Sequence, residues 1–248
     1  MARRLERAEA DANAKFVEAR ARVQPDLGAG WIEVGGAYAM FDGPDSPVTQ
    51  TFGLGLFDPP SLDQLDRIER FFGERGAPTH HEVSPLADPA LLEMLNGRGY
   101  QPIELSTVLF QSLTPAAIPD PGTGIQVRVV EGDESDLWTQ ITIEGWSEFS
   151  EYASYFETLA PVMAAQESSV HFLAEMEGRP VAAGALAHHG GVAVLAGAAT
   201  IPSARNRGAQ NGLLAARLKY AVANGCDVAM MATAPGSASQ RNAERRGF

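Results

Sequence analysis

Two stretches of this 248-residue chain repeat one another. Arg70-Phe71-Phe72-Gly73-Glu74-Arg75-Gly76, a β-prone run, Pro85, a helical stretch and Arg98-Gly99-Tyr100 form the first. Lys219-Tyr220-Ala221-Val222-Ala223-Asn224-Gly225, a β-prone run, Pro235, a helical stretch and Arg246-Gly247-Phe248 form the second. The leading glycines, Gly76 and Gly225, stand 149 positions apart, and Gly99 and Gly247 stand 148 apart. Self-similarity at one offset means one supersecondary unit written twice, so two domains of the same strand-helix-strand-helix build are expected. The length suits one large or two small domains.

In chain order, Leu5, Ala8, Ala12, Phe16, Ala19 and Val23 recur at helical spacing, and Pro25 ends that amphipathic helix. Trp31 to Met40 and Thr49 to Leu56 read as strands joined through the Pro/Gly-rich stretch 42–47. Ser61 is positioned to cap a helix running through Leu62, Leu65, Ile68 and Phe72. Thr79 to Ser84 reads as a short strand, Asp88 to Asn96 as a short helix and Gln101 to Leu113 as a long strand. A Pro/Gly-rich linker, 114–124, then separates a first domain, 1–113, from a second, 125–248.

The second domain restarts with the strand Ile125 to Val130 and a helix from Asp133 to Gly145. Strands follow at Val170 to Met176, Pro180 to Ala187, Val192 to Ile201 and Asp227 to Ala232. A helix from the loop at Gly208 carries Leu214, Leu218, Ala221 and Val222 on one stripe, and Ser237 to Arg246 closes the chain as a short helix. Alternating strands and helices in this order specify a mixed α/β sheet.

Between Ile201 and Leu213 the chain turns from strand to helix through Pro202-Ser203-Ala204-Arg205-Asn206-Arg207-Gly208. Amides in the first turn of a helix lack internal partners and carry the positive end of the macrodipole, so a diphosphate can dock there. Gly208 keeps side-chain bulk away. Ordinary turn chemistry also places a glycine between strand and helix. Neither G-x-x-x-x-G-K-[ST] nor G-x-G-x-x-G followed by a distant acid is written here.

Charge distribution agrees with an anionic small ligand. The net charge is −12, yet from Thr200 to Phe248 seven basic residues meet two acidic ones, giving +5 and leaving −17 for the rest. An acidic protein with one basic segment argues against nucleic acid as partner. Arg217 and Lys219 belong to this segment and could serve solubility alone. No apolar run is long enough to span a membrane and no signal-peptide core opens the chain, so a cytoplasmic location is expected. Cys226 is the single cysteine and reads as a small buried hydrophobe. His80-His81 and His188-His189 are adjacent pairs that a strand would point to opposite faces, so no metal site is expected.

Arg205, Gly208 and the apolar helix that follows resemble the R-x-x-G-x-G/A loop of the GNAT superfamily of acetyl-CoA-dependent acyltransferases. Gln210 departs from that pattern at its sixth position. The closing stretch from Thr233 to Gly247-Phe248 resembles the family's last helix and its Gly-Phe end, and the likeness spans Ile125 to Phe248. The resemblance implies a tandem GNAT-like, acyl-CoA N-acyltransferase fold in which the first copy is degenerate. There Phe57-Asp58-Pro59-Pro60-Ser61 replaces the basic loop with acid and prolines, which lack N–H groups.

By the same resemblance, acetyl-CoA lies between the strand ending near Ile201 and the strand at Asp227. Its pantetheine amides would pair with Ala199, Thr200 and Ile201. Its diphosphate would meet the amides of Arg207, Gly208, Ala209, Gln210 and Asn211, with Arg205 and Arg207 adding charge. Ser239 and Asn242 would face the thiol end, although Ser237 or Ser239 is equally read as a helix N-cap.

The implied reaction moves an acetyl group to a primary amine of a small molecule, which requires a proton acceptor and a stabilised leaving thiolate. Two departures weaken the usual assignment: Ala243 stands where many members have tyrosine, and Val192 to Ile201 carries no carboxylate. Substitutes are sought in the segment between Arg128 and Arg179, which has eleven acids and no Lys or Arg, interleaved with aromatics suited to an ammonium group. Glu144, Glu148 and Tyr152 are the candidates. A CoA-binding sensor or scaffold without turnover is the alternative, as is acetylation of a protein amino group. GNAT domains place another strand after Gly-Phe, and a sheet ending there would leave an open edge, so either the sequence is truncated or the edge is covered by another element or chain; a homodimer is compatible with this reading.

Overall fold

The structure is a computed structural model describing residues 1–114, 118, 124–132, 134–148 and 158–248. It divides into two compact units, Met1–Leu105 and Ser106–Phe248.

In the first unit, α1 (Ala2–Val23) precedes an antiparallel sheet of β1 (Gly30–Val34), β2 (Ala37–Phe41) and β3 (Thr51–Phe52) in that order. The apolar run Trp31 to Met40, expected as a single strand, is a hairpin. Gly35 and Gly36 take φ of +58° and +75°, which matches the two-residue turn whose twist suits a hairpin. Helix α2 (Leu62–Gly73) begins in a capping box: Ser61 Oγ accepts from the Gln64 amide, and the Gln64 side chain accepts from the Ser61 amide. Helix α3 (Pro89–Gly97) is capped by Asp88.

Side-chain alternation along β2 makes two cores. Ala39 and Phe41 pack with Leu65, Ile68, Phe72 and Leu91 on one side, while Met40 packs with Ala10, Ala14 and Val17 of α1 on the other. A buried ion pair, Arg20 Nε to Asp42 Oδ1 at 2.8 Å, ties the end of α1 to the end of β2. The strand expected at Thr79 to Ser84 is reduced to one parallel bridge, Thr51↔His81.

In the second unit, β4 (Thr107–Ser112), β5 (Gln126–Val129), β6 (Ser169–Met176), β7 (Arg179–His189), β8 (Val192–Thr200) and β9 (Val228–Thr233) form one sheet. Their order is β4-β9-β8-β7-β6-β5, antiparallel except for the parallel pair β8-β9. Helix α5 (Ala209–Ala223) lays Leu213, Leu218 and Ala221 against Phe172, Ala174, Ala182 and Leu186. The intervening residues Leu173, Ala183 and Ala185 face the opposite way, toward Trp138 and Ile141 of α4 (Ser135–Trp146). The closing helix α6 (Ala238–Glu244) has Ser237 as N-cap.

Strand β4 departs from the sequence reading. Gln101 to Leu113 is expected to complete the first domain as one long strand, but only Thr107–Ser112 is strand, and it belongs to the second unit. It pairs with β9 along its whole length, from Thr107↔Thr233 to Ser112↔Val228. Cover of the sheet edge by another element, one of the expected alternatives, is what β4 provides: the β9 edge pairs with a segment that precedes the linker in sequence. Cys226 is a free thiol, 6% exposed, and burial pushes its pKa up. No helix among the described residues is long and apolar enough to cross a membrane.

Candidate functional site

Strands β8 and β9 pair only at Val192↔Val228, Ala193↔Ala229 and Val194↔Met230. Beyond these pairs β8 runs on to Thr200 alongside β7, and β9 runs on to Thr233 alongside β4. The strands therefore part, leaving the β9-facing edge of Leu195 to Thr200 without a ladder partner among the described residues. A bulge accompanies the divergence. Ala183 faces Ala199 while Ala185 faces Ala196, so two steps along β7 span three along β8. Gly197 lies in the bulge with φ +62°, and an added Cβ would stand 2.6 Å from Met163 Cε.

At the end of β8 the Ile201 amide donates to Val181 O at 3.0 Å, and a 3-10 turn, Pro202–Ala204, redirects the chain. Asn206 takes φ +60°, and Gly208, the N-cap of α5, takes φ +91°. No side chain caps this helix, and its first turn holds no acidic residue. The Gly212 amide bonds Gly208 O at 3.0 Å, so the amides of Ala209, Gln210 and Asn211 precede the first intrahelical bond of this ladder. Helix α2, which follows β3 in the first unit as α5 follows β8, has its own N-terminus closed by the capping box. A helix start that is capped in one repeat is open in the other.

Gly212, not assigned to the site from the sequence, marks a close approach within the first turn of α5. A Cβ there would lie 2.8 Å from Ile125 Cγ2 and 3.3 Å from Val127 Cγ2, so glycine lets α5 approach the residues of β5 and its leading edge. The six-residue loop pattern can be read two positions later, from Arg207 to Gly212, which places its closing glycine at this close approach. Gln210 is then the departure at the middle glycine; its Nε2 donates to Thr200 Oγ1 at 2.8 Å, joining the loop to the end of β8.

The other expected site residues are distributed as follows. Ala199, Thr200 and Ile201 are at the end of the unpaired strand edge, and Arg207 is exposed at the loop. Arg205 bonds groups at the ends of α4 and β8. Its Nη2 donates to Gly145 O at 3.0 Å, its Nε to Thr200 O at 3.3 Å, and its Nη1 pairs with Glu148. This cation clamps the end of α4 to the end of β8. The contact is intimate, because a Cβ on Gly145 would come within 2.6 Å of Ala199 Cβ.

Glu148 is thereby held by a guanidinium, Glu144 is exposed on α4, and Tyr152 lies outside the described residues. Ser237, not Ser239, caps α6, its Oγ accepting from the Gln240 amide at 3.0 Å. Ser239 is exposed and Asn242 half-buried. Ala243 is 2% exposed. Asn211 Oδ1, in the first turn of α5, and Thr233 Oγ1, at the end of β9, are buried without a hydrogen-bond partner among the described residues. Open amides, an unpaired strand edge and two orphaned polar atoms suit a ligand with an anionic group at one end and an amide-bearing chain.

Residues 135–248 match the model of the Acetyltransferase (GNAT) family. A GCN5-related N-acetyltransferase from Kribbella flavida superposes with a TM-score of 0.57 at 20% identity, covering 88% of this chain and 85% of that one. A tandem GNAT protein from the clavulanic acid biosynthesis pathway gives 0.58 at 13% identity, covering 85% and 73%. A GCN5-related N-acetyltransferase from Sphaerobacter thermophilus gives 0.53 at 18% identity, covering 80% and 67%. No curated protein matches the chain. The chain has a mixed α/β fold of two helix-and-sheet lobes like that of tandem GNAT proteins, with the family model confined to the C-terminal lobe.

Proposed function

We propose that the Ser106–Phe248 unit binds acetyl-CoA and transfers its acetyl group to a primary amine of a small molecule. The observation that carries this reading is the uncapped start of α5 at Gly208, directly beyond the unpaired edge of β8. Amides of Arg207 to Asn211 would hold the diphosphate, with the Arg207 guanidinium adding charge. Backbone groups of Ala199 to Ile201 would align the pantetheine as an added strand aligns on a sheet edge. Acetyl-CoA supplies an activated thioester. The protein's share is orientation at the strand edge, which lowers the entropic barrier to attack by the amine. The first unit takes a supporting role, its corresponding helix start being capped by its own side chains.

A second reading, coenzyme binding without turnover, draws on Ala243 and on the Arg205 pair that occupies Glu148. Thiol release from acetyl-CoA across a panel of small amines separates the two. Turnover with at least one amine is the expected outcome. A melting temperature raised by CoA together with no thiol release from any amine would establish the second reading.

A further inference from the structure

Arg217 is on the sheet-facing side of α5 and only 4% exposed. The sequence places it in a positive surface patch; the fold places it four residues after Leu213 and four before Ala221, on the buried face. Burial lowers its pKa to about 10. No ion pair among the described residues compensates its charge. Its hydrogen bonds go to carbonyls: Nε to Leu213 O at 3.3 Å, and Nη1 to Ala185 O at 3.2 Å and Ala196 O at 3.4 Å. The guanidinium packs over the backbone at Gly184, where an added Cβ would lie at ordinary van der Waals distance, 3.5 Å, from its carbon.

Ala185 and Ala196 are the pair at which the β7-β8 register slips before Gly197. A bulge disrupts the ladder locally, and a side-chain donor bonded to carbonyls of both strands at the irregular step fixes their relative placement. A planar guanidinium can serve two strands at once, which an apolar side chain cannot. An apolar residue would fill the same space without the cost of a buried cation, so the charge is concentrated where the strand is irregular.

We propose that Arg217 is a positioning residue for acyl transfer: by bonding Ala185 O and Ala196 O it holds the Gly197 bulge, and so sets how the free edge of β8 meets the thioester end of acetyl-CoA. This rests on the reading of the site given above. The loop that would take the diphosphate is not touched by Arg217, so its loss separates catalysis from coenzyme affinity.

The test compares Arg217→Met and Arg217→Lys with the unsubstituted protein in three measurements: amide hydrogen exchange at Ala196 to Ala199 without ligand, CoA affinity, and steady-state turnover. Methionine is expected to speed exchange at the bulge by tenfold or more. It should lower kcat by ten- to one-hundredfold and leave CoA affinity within about twofold. Lysine, which keeps the charge and donors on a shorter head, is expected to restore part of kcat and to serve where the methionine variant fails to fold. Unchanged exchange, unchanged kcat, or a kcat loss matched by an equal loss of CoA affinity would overturn the proposal. Absence of turnover in the unsubstituted protein would defeat the reading of the site and the positioning role together. That result is distinct from a working enzyme that Arg217→Met leaves unaltered.

Discussion

Glu6→Gln is expected to stabilise the Met1–Leu105 unit by about 3 kcal/mol at pH 8 and by much less at pH 5. Glu6 is on the buried side of α1, 9% exposed, and its Oε2 has no hydrogen-bond partner among the described residues. Burial first, and then the charge of Glu82, raises its pKa from 4.5 to about 7, against a smaller lowering by a hydrogen bond with Ser84. Glu9, one helical turn on, is raised to about 8 by burial and by the charges of Glu82 and Glu6. Glu82 is raised by burial and by Glu104.

A carboxyl whose pKa is higher in the folded state binds more protons there than in the unfolded chain. Stability therefore falls as pH rises from about 4.5 through 7, and the cost is complete above that window. Glutamine keeps a polar head for Ser84 and removes the charge. Hydrogen exchange of α1 amides at pH 5 and pH 8 measures the effect within this unit. A variant no more stable than the original at pH 8 would mean that Glu6 is not held against its charged form.

Gly208→Val is expected to weaken CoA binding by one-hundredfold or more, about 3 kcal/mol, and to lower the melting temperature of the free protein through strain at the turn. Space is not the obstacle, since an added Cβ would meet nothing nearer than Ile125 Cγ1 at 4.0 Å. Conformation is. At φ +91° a β-branched residue is strained, so the turn relaxes toward negative φ and rotates the following amides away from a common point. Those amides are the anion site, because α5 begins without a capping side chain. Calorimetric titration with CoA measures the change. Wild-type affinity in the variant would show that the diphosphate, if bound, is held elsewhere.

Local signals explain which parts of this fold were legible. Helix α2 was readable because Ser61 and its apolar stripe specify its start and face, and α5 because Gly208 and its leucines do the same. The pairing of β4 with β9 was not, because those residues lie more than one hundred positions apart and their alternation carries no label for a partner. The β1-β2 turn was hidden inside one continuous apolar run, although Gly35-Gly36 was its sign. A glycine within the strand Val192–Thr200 likewise signals a bulge, and Gly197 is that bulge.

At the site, the loop and strand end were readable as types, whereas side-chain destinations were not. Arg205 looked like a phosphate ligand by charge and position, yet Gly145 O, Thr200 O and Glu148 claim it. Arg217 counted as surface charge, although its spacing from Leu213 and Ala221 put it on the buried face. Contacts made across the sheet or to another helix depend on the assembled fold, and no local sequence pattern encodes them.

Amide chemical shifts of isotope-labelled protein during titration with CoA report whether the start of α5 and the end of β8 hold the coenzyme. The largest changes are expected on Arg207 to Asn211 and Ala199 to Ile201, with Gly208→Val abolishing both sets. Saturable binding that leaves those amides unmoved, or no binding at millimolar CoA, would contradict this placement of the coenzyme.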